Sequence, residues 1–483
     1  MTASDEVAKI RTGSHDLPVS PALDAFMATG WAPQPDTGPA HPHPAAAFTV
    51  ARRAALSARF PGERLVVPAG VLKTRSNDTD YRFRPHSAFV HLSAATEPEW
   101  CLVLEPSAGG HHAVLYVRTN PGRSAGAFYR DRRYGELWVG PRMGLEDTAK
   151  LLAIDTAPLD DLPAVLKEAS DASARVVRGY DSRVDDVVAC VDDERDIDLL
   201  SALSELRLIK DDHEVACLQA AVDATVTAFA DVVRALPVAE QHSERWVEGT
   251  FNRRARTEGN DVGYDTIAAC GQHACTLHWI RNDGPVRAGE LLLLDAGVEG
   301  VELYTADVTR TVPVSGRFTA EQREVYDAVW RAQQAGLAEC RPGQPFMAPH
   351  RAAMRVLTEW LVDAGILRCS VEEALDTDNR FHTRYTLHGT SHMLGLDVHD
   401  CAKARDDYRG HDLVAGMVLT VEPGCYLQPD DLTVPERYRG IGVRIEDDVL
   451  ITEDGCRVLS GALPTRSDDV EAWMAPLLIA GGS

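Results

Sequence analysis

The sequence predicts an α/β domain followed by an α+β domain. Short apolar segments alternate with helix-like segments from about residue 48 to residue 175, a pattern typical of a layered α/β arrangement. Beyond residue 205, amphipathic helices are mixed with apolar strands, and all of the candidate chemistry lies there. A chain of 483 residues, 45% of them hydrophobic, is long enough for two or three domains with cores of their own.

A proline-rich tail is predicted over residues 1–47. Five prolines fall between Trp31 and Ala47, and proline disfavours both helices and sheet interiors. His41 and His43 form a His-x-His pair within this stretch, a pattern that can bind a metal ion. In a proline-rich segment such a pair more often has no role, so we expect a flexible tail without a metal site.

The N-terminal domain is predicted to span residues 48–205. Ala51–Arg59 has the composition of a helix. Apolar runs bounded by turn-forming residues predict strands at Arg64–Val71, Ala88–Leu92, Trp100–Leu104 and Ala113–Val117. An acidic stretch, residues 181–198, leads to a domain boundary near residue 205.

The second domain is predicted to span residues 206–475 and to begin with a long helix. Asp211–Ala235 has an acidic start, which suits the positive end of a helix dipole, and then apolar residues at helical spacing. Further helices are predicted at about Gln241–Glu258, Ala320–Ala338 and Pro349–Ala364. Strands are predicted at Thr266–Ala269, Leu291–Ala296, Ala306–Pro313, Met417–Val421 and Gly442–Ile451.

Charge and cysteine usage narrow the function class. The chain carries 49 basic and 73 acidic residues, a net charge of −24, which argues against binding to nucleic acid or to an anionic membrane. The apolar runs are shorter than the ~20 residues of a membrane helix, and the start does not resemble a signal peptide. The ten cysteines include no Cys-x-x-Cys pair. We therefore expect a cytoplasmic protein with reduced thiols.

Several familiar catalytic motifs are missing, and acids and histidines at strand ends remain. The sequence has no HExxH, no GxSxG and no phosphate-binding glycine loop. Asp295 ends the apolar run Leu291–Leu294, and Asp307 follows twelve residues later. A hairpin would bring these two carboxylates together, and two buried carboxylates require a cation or a shared proton.

Three further segments complete this set. His388 and His392 lie in HGTSH, and His399 follows in LGLDVHD. Glu422 ends the apolar strand before Pro423. Arg444 and Glu446 are two residues apart on a predicted strand and would therefore face the same side. Taken singly, each residue has an ordinary structural explanation, such as a solvated turn, a loop histidine or a surface ion pair.

The donor types point to a pair of divalent metal ions. Four carboxylates balance the charge of two such ions, and one histidine adds a nitrogen ligand. Carboxylate oxygens with a single imidazole suit Mn²⁺ better than a thiolate-rich zinc site does. Two ions ~3.5–4 Å apart can share a hydroxide nucleophile and polarise a carbonyl. The proposed donors are Asp295, Asp307, His392, Glu422 and Glu446.

The ordered motifs DAG, TADVTRT, HGTSHMLGLDVHD, VEPGCY and GVRIEDD resemble the Xaa-Pro aminopeptidase (aminopeptidase P) and prolidase family of metallopeptidases. Asn77–Glu105 is similar to the N-terminal domain of that family. The resemblance covers roughly residues 48–470. It implies an N-terminal α/β domain, a catalytic α+β domain with the pita-bread fold, and a dinuclear centre that usually holds manganese.

The resemblance assigns roles to individual residues. It implies that Asp307 and Glu446 bridge the two ions, that Asp295 binds one ion, and that His392 and Glu422 bind the other. Glu422 also corresponds to the acidic group that handles protons. The residues that match substrate-side or supporting positions of the family are His278, His388, His399, Tyr426 and Arg444. Arg444 is expected to orient Asp307 or Glu446.

Two departures from the family pattern stand out. The aspartates are usually eleven residues apart, and here they are twelve apart, so a bulge is expected to restore the hairpin register. Val90 aligns near an aromatic residue that some relatives place at the substrate mouth. This second departure leaves open the subsite preference and any contribution from a neighbouring subunit.

The resemblance implies hydrolysis of the bond between any N-terminal residue and a following proline, with attack by a metal-bridging hydroxide. Prolidase, which cleaves only Xaa-Pro dipeptides, is the nearest alternative. Methionine aminopeptidase fits less well, and a non-catalytic binding module would be expected to lose metal ligands. Phosphotriester cleavage stays open as a side activity. The expected partners are proline-containing peptides and further copies of the chain in a homo-oligomer, a dimer or tetramer.

Overall fold

The computed structural model describes residues 19–32, 38, 41–120, 122–168, 174–188, 193–404 and 408–481. The chain divides into two compact units, Met1–Leu200 and Ser201–Ser483. The boundary predicted near residue 205 lies at the end of the helix that crosses this division. Much of the predicted tail lies outside the described residues. Its described part includes a short helix, and Trp31 packs edge-on against Phe128 with ring centroids 5.3 Å apart.

The first unit contains seven strands and a set of mostly short helices in its described part. The helices are α1 (Pro21–Met27), α2 (Ala46–Arg59), α3 (Ser87–Ser93), α4 (Ala127–Arg130), α5 (Glu136–Val139), α6 (Leu145–Leu152), α7 (Leu162–Glu168), α8 (Ser182–Val187) and α9 (Asp193–Leu206). The strands are β1 (Arg64–Pro68), β2 (Thr74–Ser76), β3 (Thr79–Asp80), β4 (Cys101–Ser107), β5 (Gly110–Val117), β6 (Asp155–Pro158) and β7 (Ala174–Val176).

A five-stranded mixed sheet forms the centre of the first unit, with the strand order β6-β5-β4-β1-β7. The pairs β1–β4 and β4–β5 are antiparallel, and the pairs β5–β6 and β1–β7 are parallel. The strand predicted at Ala88–Leu92 is wrong, because this segment lies within α3, whose residues are all buried. A short apolar run buried on every side does not distinguish a strand from a helix. Val90 is one of these buried residues.

The second unit combines long helices with short strands. Its helices are α10 (Asp212–Ala239), α11 (Glu244–Glu258), α12 (Ala320–Ala338), α13 (Ala348–Asp363), α14 (Val371–Leu375) and α15 (Ser467–Gly481). Its strands are β8 (Asp261–Val262), β9 (Ile267–Cys270), β10 (Leu291–Ala296), β11 (Val298–Glu299), β12 (Val308–Pro313), β13 (Val418–Val421), β14 (Gly424–Leu427), β15 (Ile441–Arg444), β16 (Asp447–Ile451) and β17 (Cys456–Val458).

The strands of the second unit form small antiparallel sheets, in the orders β12-β10-β9, β13-β16-β17, β14-β15 and β11-β8. Helices α10 to α13 pack against them around a large apolar core that includes Phe251, Leu292, Val329 and Leu357. The single strand predicted at Gly442–Ile451 is wrong. The Ile445 N–H donates to the Pro423 carbonyl and the Glu446 N–H to the Thr309 carbonyl, so the chain leaves β14 and joins β13 at this point.

Helix α10 is long and apolar enough to cross a membrane by length and composition alone. It begins with a capping box, in which the Asp211 side chain accepts from the Glu214 N–H and the Glu214 side chain accepts from the Asp211 N–H. Its buried residues, among them Leu218, Phe229 and Leu236, face the interior of the second unit, and it packs against α11 and α15. In this structure it is a core helix.

Candidate metal centre

Strands β10 and β12 form the hairpin that carries the two aspartates. Their antiparallel register runs unbroken from the Leu291–Pro313 pair to the Ala296–Val308 pair and continues at the Glu299–Thr305 bridge. The expected bulge is therefore absent from these pairs. The longer hairpin is accommodated at its tip, where the Gly300 N–H donates to the Tyr304 carbonyl and Leu303 adopts a left-handed backbone with φ of 66°.

Glycine is required beside the first aspartate. A Cβ atom on Gly297 would lie 1.7 Å from the carbonyl oxygen of Ala306 on the opposite strand. This close approach brings together the segments that follow Asp295 and precede Asp307. The DAG motif thus contains one residue for the chemistry and one for the backbone approach.

Asp295 and Asp307 lie on the same face of the hairpin, because Asp295 pairs with Thr309 and Asp307 is two residues from Thr309. The Tyr264 hydroxyl lies 2.7 Å from Oδ1 of Asp295 and 2.5 Å from Oδ1 of Asp307. This shared contact confirms that the two carboxylates lie close together, as predicted. Both aspartates are buried.

Arg444 and Glu446 reach the same place from β15 and the strand break. The Thr309 hydroxyl donates to Oε2 of Glu446 at 2.6 Å, and Nε of Arg444 donates to the Thr309 hydroxyl at 3.2 Å. Nη2 of Arg444 donates to Oδ2 of Asp295 at 2.5 Å. Arg444 thus contacts Glu446, one of the two carboxylates that it is predicted to orient, only through Thr309. The guanidinium lies against Asp295, and Thr309 connects it to Glu446.

His392 and Glu422 close the other side of the centre. Nδ1 of His392 donates to the Met393 carbonyl at 3.1 Å, so Nε2 is the ring nitrogen that faces the carboxylates and would bind a metal ion. Nε2 lies 3.3 Å from Oδ2 of Asp307 and 3.4 Å from Oε1 of Glu422. Asp307, His392 and Glu446 each offer one ligand atom, and these atoms all lie within 4.8 Å of one another.

The other predicted histidines surround this cluster. Nδ1 of His388 lies 3.3 Å from Oε2 of Glu422, and Nε2 of His388 lies 2.7 Å from the Tyr426 hydroxyl. The rings of His392 and His399 meet edge to face with centroids 4.3 Å apart. His278 is exposed and lies on the loop that follows β9. All the predicted site residues except Tyr426 line one cavity of about 710 Å³.

A buried carboxylate holds the loop that carries His278. Glu244, fully buried at the start of α11, accepts from the backbone N–H groups of Cys270 and Gly284 at 2.8 and 2.7 Å. It also accepts from Nε1 of Trp279 at 2.8 Å, and Nδ1 of His273 lies at the same distance. Because both ends and the middle of the loop meet one carboxylate, the position of His278 depends on Glu244.

Burial governs the electrostatics of the ligand set. Burial raises the pKa of Asp307 to about 6 although the hydrogen bond with His392 lowers it. Burial and the charge of Asp307 raise the pKa of Glu446 well above its ordinary range. Burial alone would raise the pKa of Glu422, but the hydrogen bond and charge of His388 lower it to about 2. Burial alone would lower the pKa of His392, but the hydrogen bond to Asp307 raises it to about 9.

The residues fit a divalent-metal centre. Four carboxylates meet in a buried space, and the positive groups within it, Arg444 and a histidine, do not balance four negative charges. Burial is the main cause of the raised pKa values of Asp307 and Glu446, and the charge of a neighbouring carboxylate, Asp295 for Asp307 and Asp307 for Glu446, raises them further. Divalent cations would remove the penalty, and an oxygen-rich donor set with one imidazole nitrogen suits such ions.

Comparisons with known proteins agree with this centre. The model of metallopeptidase family M24 matches residues 216–453, and the model of the aminopeptidase P N-terminal domain matches residues 49–177. Xaa-Pro aminopeptidase 1 of Streptomyces coelicolor is 54% identical over 461 residues, which cover 95% of this chain and 93% of that protein. The chain belongs to the Xaa-Pro aminopeptidase family of M24 metallopeptidases.

Solved structures of this family superpose on the chain. Aminopeptidase P from E. coli with the inhibitor Pro-Leu gives a TM-score of 0.80 at 31% identity and covers 90% of this chain and 99% of that chain. The zinc-substituted form of the E. coli enzyme in complex with product gives the same TM-score, identity and coverage. The predicted N-terminal domain, pita-bread catalytic domain and family are confirmed. The chain is a metal-dependent aminopeptidase of the group that cleaves before proline.

Three residues of the centre are not predicted from the sequence. Tyr264 bridges the aspartates, Thr309 connects Arg444 to Glu446, and Asp448 accepts from the Asp307 N–H at 3.1 Å. The position of Thr309 could have been predicted, because it lies two residues after Asp307 in the predicted strand Ala306–Pro313 and therefore faces the same side. Tyr264 precedes a strand and lies 43 positions from Asp307, so no local pattern reveals it.

Proposed function

We propose that this protein hydrolyses the bond between the first residue of a peptide and a proline at the second position, in peptides longer than a dipeptide. One observation carries the proposal. A single cavity brings together four carboxylates, a histidine whose Nε2 faces two of them and three further histidines, in a chain that belongs to the Xaa-Pro aminopeptidases. The five residues that the sequence motifs predict as ligands all line this cavity.

We further propose that the centre holds two Mn²⁺ ions. Asp307 and Glu446 would contact both ions, Asp295 one of them, and His392 and Glu422 the other. This assignment is supported by the cluster of Asp307, His392 and Glu446 and by the predominance of carboxylate oxygen. Divalent ions bound here would activate water as a nucleophile and polarise the scissile carbonyl.

The side chains around the ligands suit a substrate with a free amino terminus and a proline ring. The excess of carboxylates attracts the terminal ammonium group. Apolar side chains in the same cavity, Ile267, Leu277 and Val398, offer surface for the first side chain and for the ring. His278 and His399, both exposed in this cavity, can donate to the carbonyl oxygen as negative charge develops there.

Glu422 is placed to move protons. Its low pKa keeps it ionised in the metal-free protein, so it can accept a hydrogen bond from the attacking water. The proton must then pass to the proline nitrogen, because the leaving group of a tertiary amide is a poor one until it is protonated. His388, 3.3 Å from Glu422 and bonded to the Tyr426 hydroxyl, holds this carboxylate in place and would face the proline side of the substrate.

The predicted compartment, assembly and partners remain proposals. A reducing compartment such as the cytoplasm is supported by the nine described cysteines, all of which are free thiols. Assembly into a dimer or tetramer follows from the family resemblance. Proline-containing peptides are the proposed partners, and the net charge of −24 supports the prediction that nucleic acid and anionic membranes are not.

A mass-resolved time course with Mn²⁺-loaded protein tests the proposal. The substrates are an Xaa-Pro-Yaa tripeptide, the matching Xaa-Pro dipeptide and an Xaa-Ala-Yaa control. We expect release of Xaa from the tripeptide, little release from the control, and none after chelation. Cleavage of the dipeptide alone would identify a prolidase instead. Full metal content without cleavage of any peptide would contradict an enzymatic role.

A further inference from the structure

A second cavity adjoins the metal centre within the catalytic unit. Its volume is about 890 Å³, and Leu277 lines both it and the cavity of the centre. Tyr426 forms another part of the boundary, because it lines the second cavity while its hydroxyl bonds His388 and Arg444 of the first. Leu387, the residue before His388, lines the second cavity as well. The two spaces are thus separated by single side chains.

The second cavity is basic in an acidic protein. Arg368, Arg380 and Arg384 line it, and its described lining contains no aspartate or glutamate, although the chain has 73 acidic residues against 49 basic ones. We call this cavity the arginine groove. Arg384 is paired with Asp431 through two hydrogen bonds of 2.8 and 3.0 Å. Arg368 and Arg380 are exposed, and among the described residues neither guanidinium has a partner.

Exposed apolar side chains accompany the arginines. Phe381, Leu387 and Leu432 line the groove with 43%, 68% and 82% of their surface exposed. A large apolar surface with cationic groups, next to an active site, has the character of a ligand-binding surface. A peptide chain with an acidic group matches both properties, because its side chains cover the apolar residues and its carboxylate meets the guanidinium groups.

The direction of the peptide chain and the charge of its amino terminus determine which part of the substrate can enter this groove. Only one residue precedes the scissile bond of an aminopeptidase substrate, and its terminal ammonium group is repelled by arginine and attracted by the carboxylates of the centre. The chain after proline has no such limit of length. We propose that the arginine groove binds the residues that follow proline and favours a carboxylate there. This inference rests on the proposed function.

Two sources of carboxylate fit the groove, an acidic side chain and the C-terminal carboxylate of the peptide. Four tetrapeptides separate them: Ala-Pro-Ala-Glu and Ala-Pro-Ala-Gln, each with a free or an amidated C-terminus. Versions with one and two additional alanines before the last residue vary the distance between proline and the last residue, since each extended residue adds at most ~3.3–3.6 Å. The measurement is kcat/KM for release of alanine at low and at high salt.

We expect the wild-type enzyme to favour the peptides with a carboxylate by about threefold to tenfold, as for exposed ion pairs with two arginines. The preference should reside in KM and should weaken at high salt. In the double variant Arg368→Gln/Arg380→Gln the preference should fall to about onefold, while kcat/KM for the neutral amidated peptide stays unchanged. Arg331→Gln, at an exposed arginine of α12 outside the described cavity linings, serves as the control and should keep the preference.

The outcomes separate this inference from the proposed function. If the wild-type enzyme leaves the neutral amidated peptide and all the others uncut, the proposed function fails. If it cuts the neutral and the acidic peptides equally well at every length, the function stands and the arginine groove has no such role. An equal loss on all peptides in the double variant would also contradict the inference, because it would indicate general damage. Thermal unfolding of the variants checks their folding.

Discussion

The two halves of the metal centre are held in different ways. The carboxylates of the first half, Asp295, Asp307 and Glu446, lie on the hairpin and at the β15–β16 break and are at most 8% exposed. The histidines of the second half, His278, His388 and His399, lie in segments without helix or strand, and two of them are exposed. Both halves line the same cavity, but the first half is buried, whereas the second half is on more exposed loops.

This difference reflects the tasks of the two groups. Carboxylates that repel one another must be held by the surrounding structure, and here Tyr264, Thr309 and Arg444 supply the hydrogen bonds. Histidines that meet substrate need access to the cavity and fewer fixed contacts. We therefore expect changes in the first half to affect metal binding and folding, and changes in the second half to affect turnover alone.

The largest effect is expected from Asp307→Asn, which removes a charge without changing the size of the side chain. Because Asp307 is proposed to contact both ions, kcat/KM should fall by about 10³-fold or more and the metal content should decrease. Activity assays and metal analysis of the purified variant measure both. Asp265→Asn, in the same cavity but outside the ligand cluster, should keep its metal. Full metal content and near-normal activity in Asp307→Asn would refute the assignment.

A stability comparison tests whether the first half belongs to the core. Arg310, which is 1% exposed, donates to the Glu446 carbonyl at 2.6 Å and to Oδ1 of Asp447 at 2.6 Å. Arg310→Met leaves the buried charge of Asp447 without its cation and removes a donor from the Glu446 carbonyl, so it should lower the free energy of unfolding by about 3 kcal/mol. His399→Ala, at an exposed position, should change it by about 0.5 kcal/mol at most. Urea unfolding of the metal-free proteins measures both changes. Equal losses of unfolding free energy in Arg310→Met and His399→Ala would show that the two halves do not differ in their contribution to stability.

The smallest effect concerns pH and His350 on α13, behind the histidine half. Nδ1 of His350 lies 2.9 Å from the Thr390 hydroxyl, and burial, with smaller contributions from the charges of His382 and His388, lowers its pKa to about 4. The unfolded chain binds this proton at about pH 6.5, so the folded state loses stability as the pH falls from about 6.5 towards 4.

We expect His350 to account for a loss of about 2 kcal/mol between pH 7 and pH 5. His350→Asn keeps a polar group near Thr390 but does not titrate, so its stability should depend less on pH over this interval. Urea unfolding of both metal-free proteins at several pH values measures the difference. Parallel stability curves for the two proteins would show that His350 does not titrate in this way.

The residue pattern of a segment correctly predicted those helices and strands that depend on residues close to one another in the sequence. The helix Ala320–Ala338 and the strand Leu291–Ala296 have their predicted bounds, because apolar periodicity and capping are local properties. Ala88–Leu92 was predicted as a strand and is part of a helix, and the strand predicted at Gly442–Ile451 is broken at Ile445. In both cases contacts with other parts of the chain determine the secondary structure of the segment, and the residue pattern of the segment itself does not encode these contacts.

By itself, the sequence determined the family and predicted which side chains would bind metal, since both depend on residue type, order and spacing within short motifs. Only the tertiary structure decided what holds them. The contact of Arg444 with Asp295 joins residues 149 positions apart, and the bridge of Tyr264 to Asp307 joins residues 43 apart. The arginine groove likewise collects side chains from several separate segments. Contacts between distant segments arise from packing of the whole domain, and no local periodicity carries them.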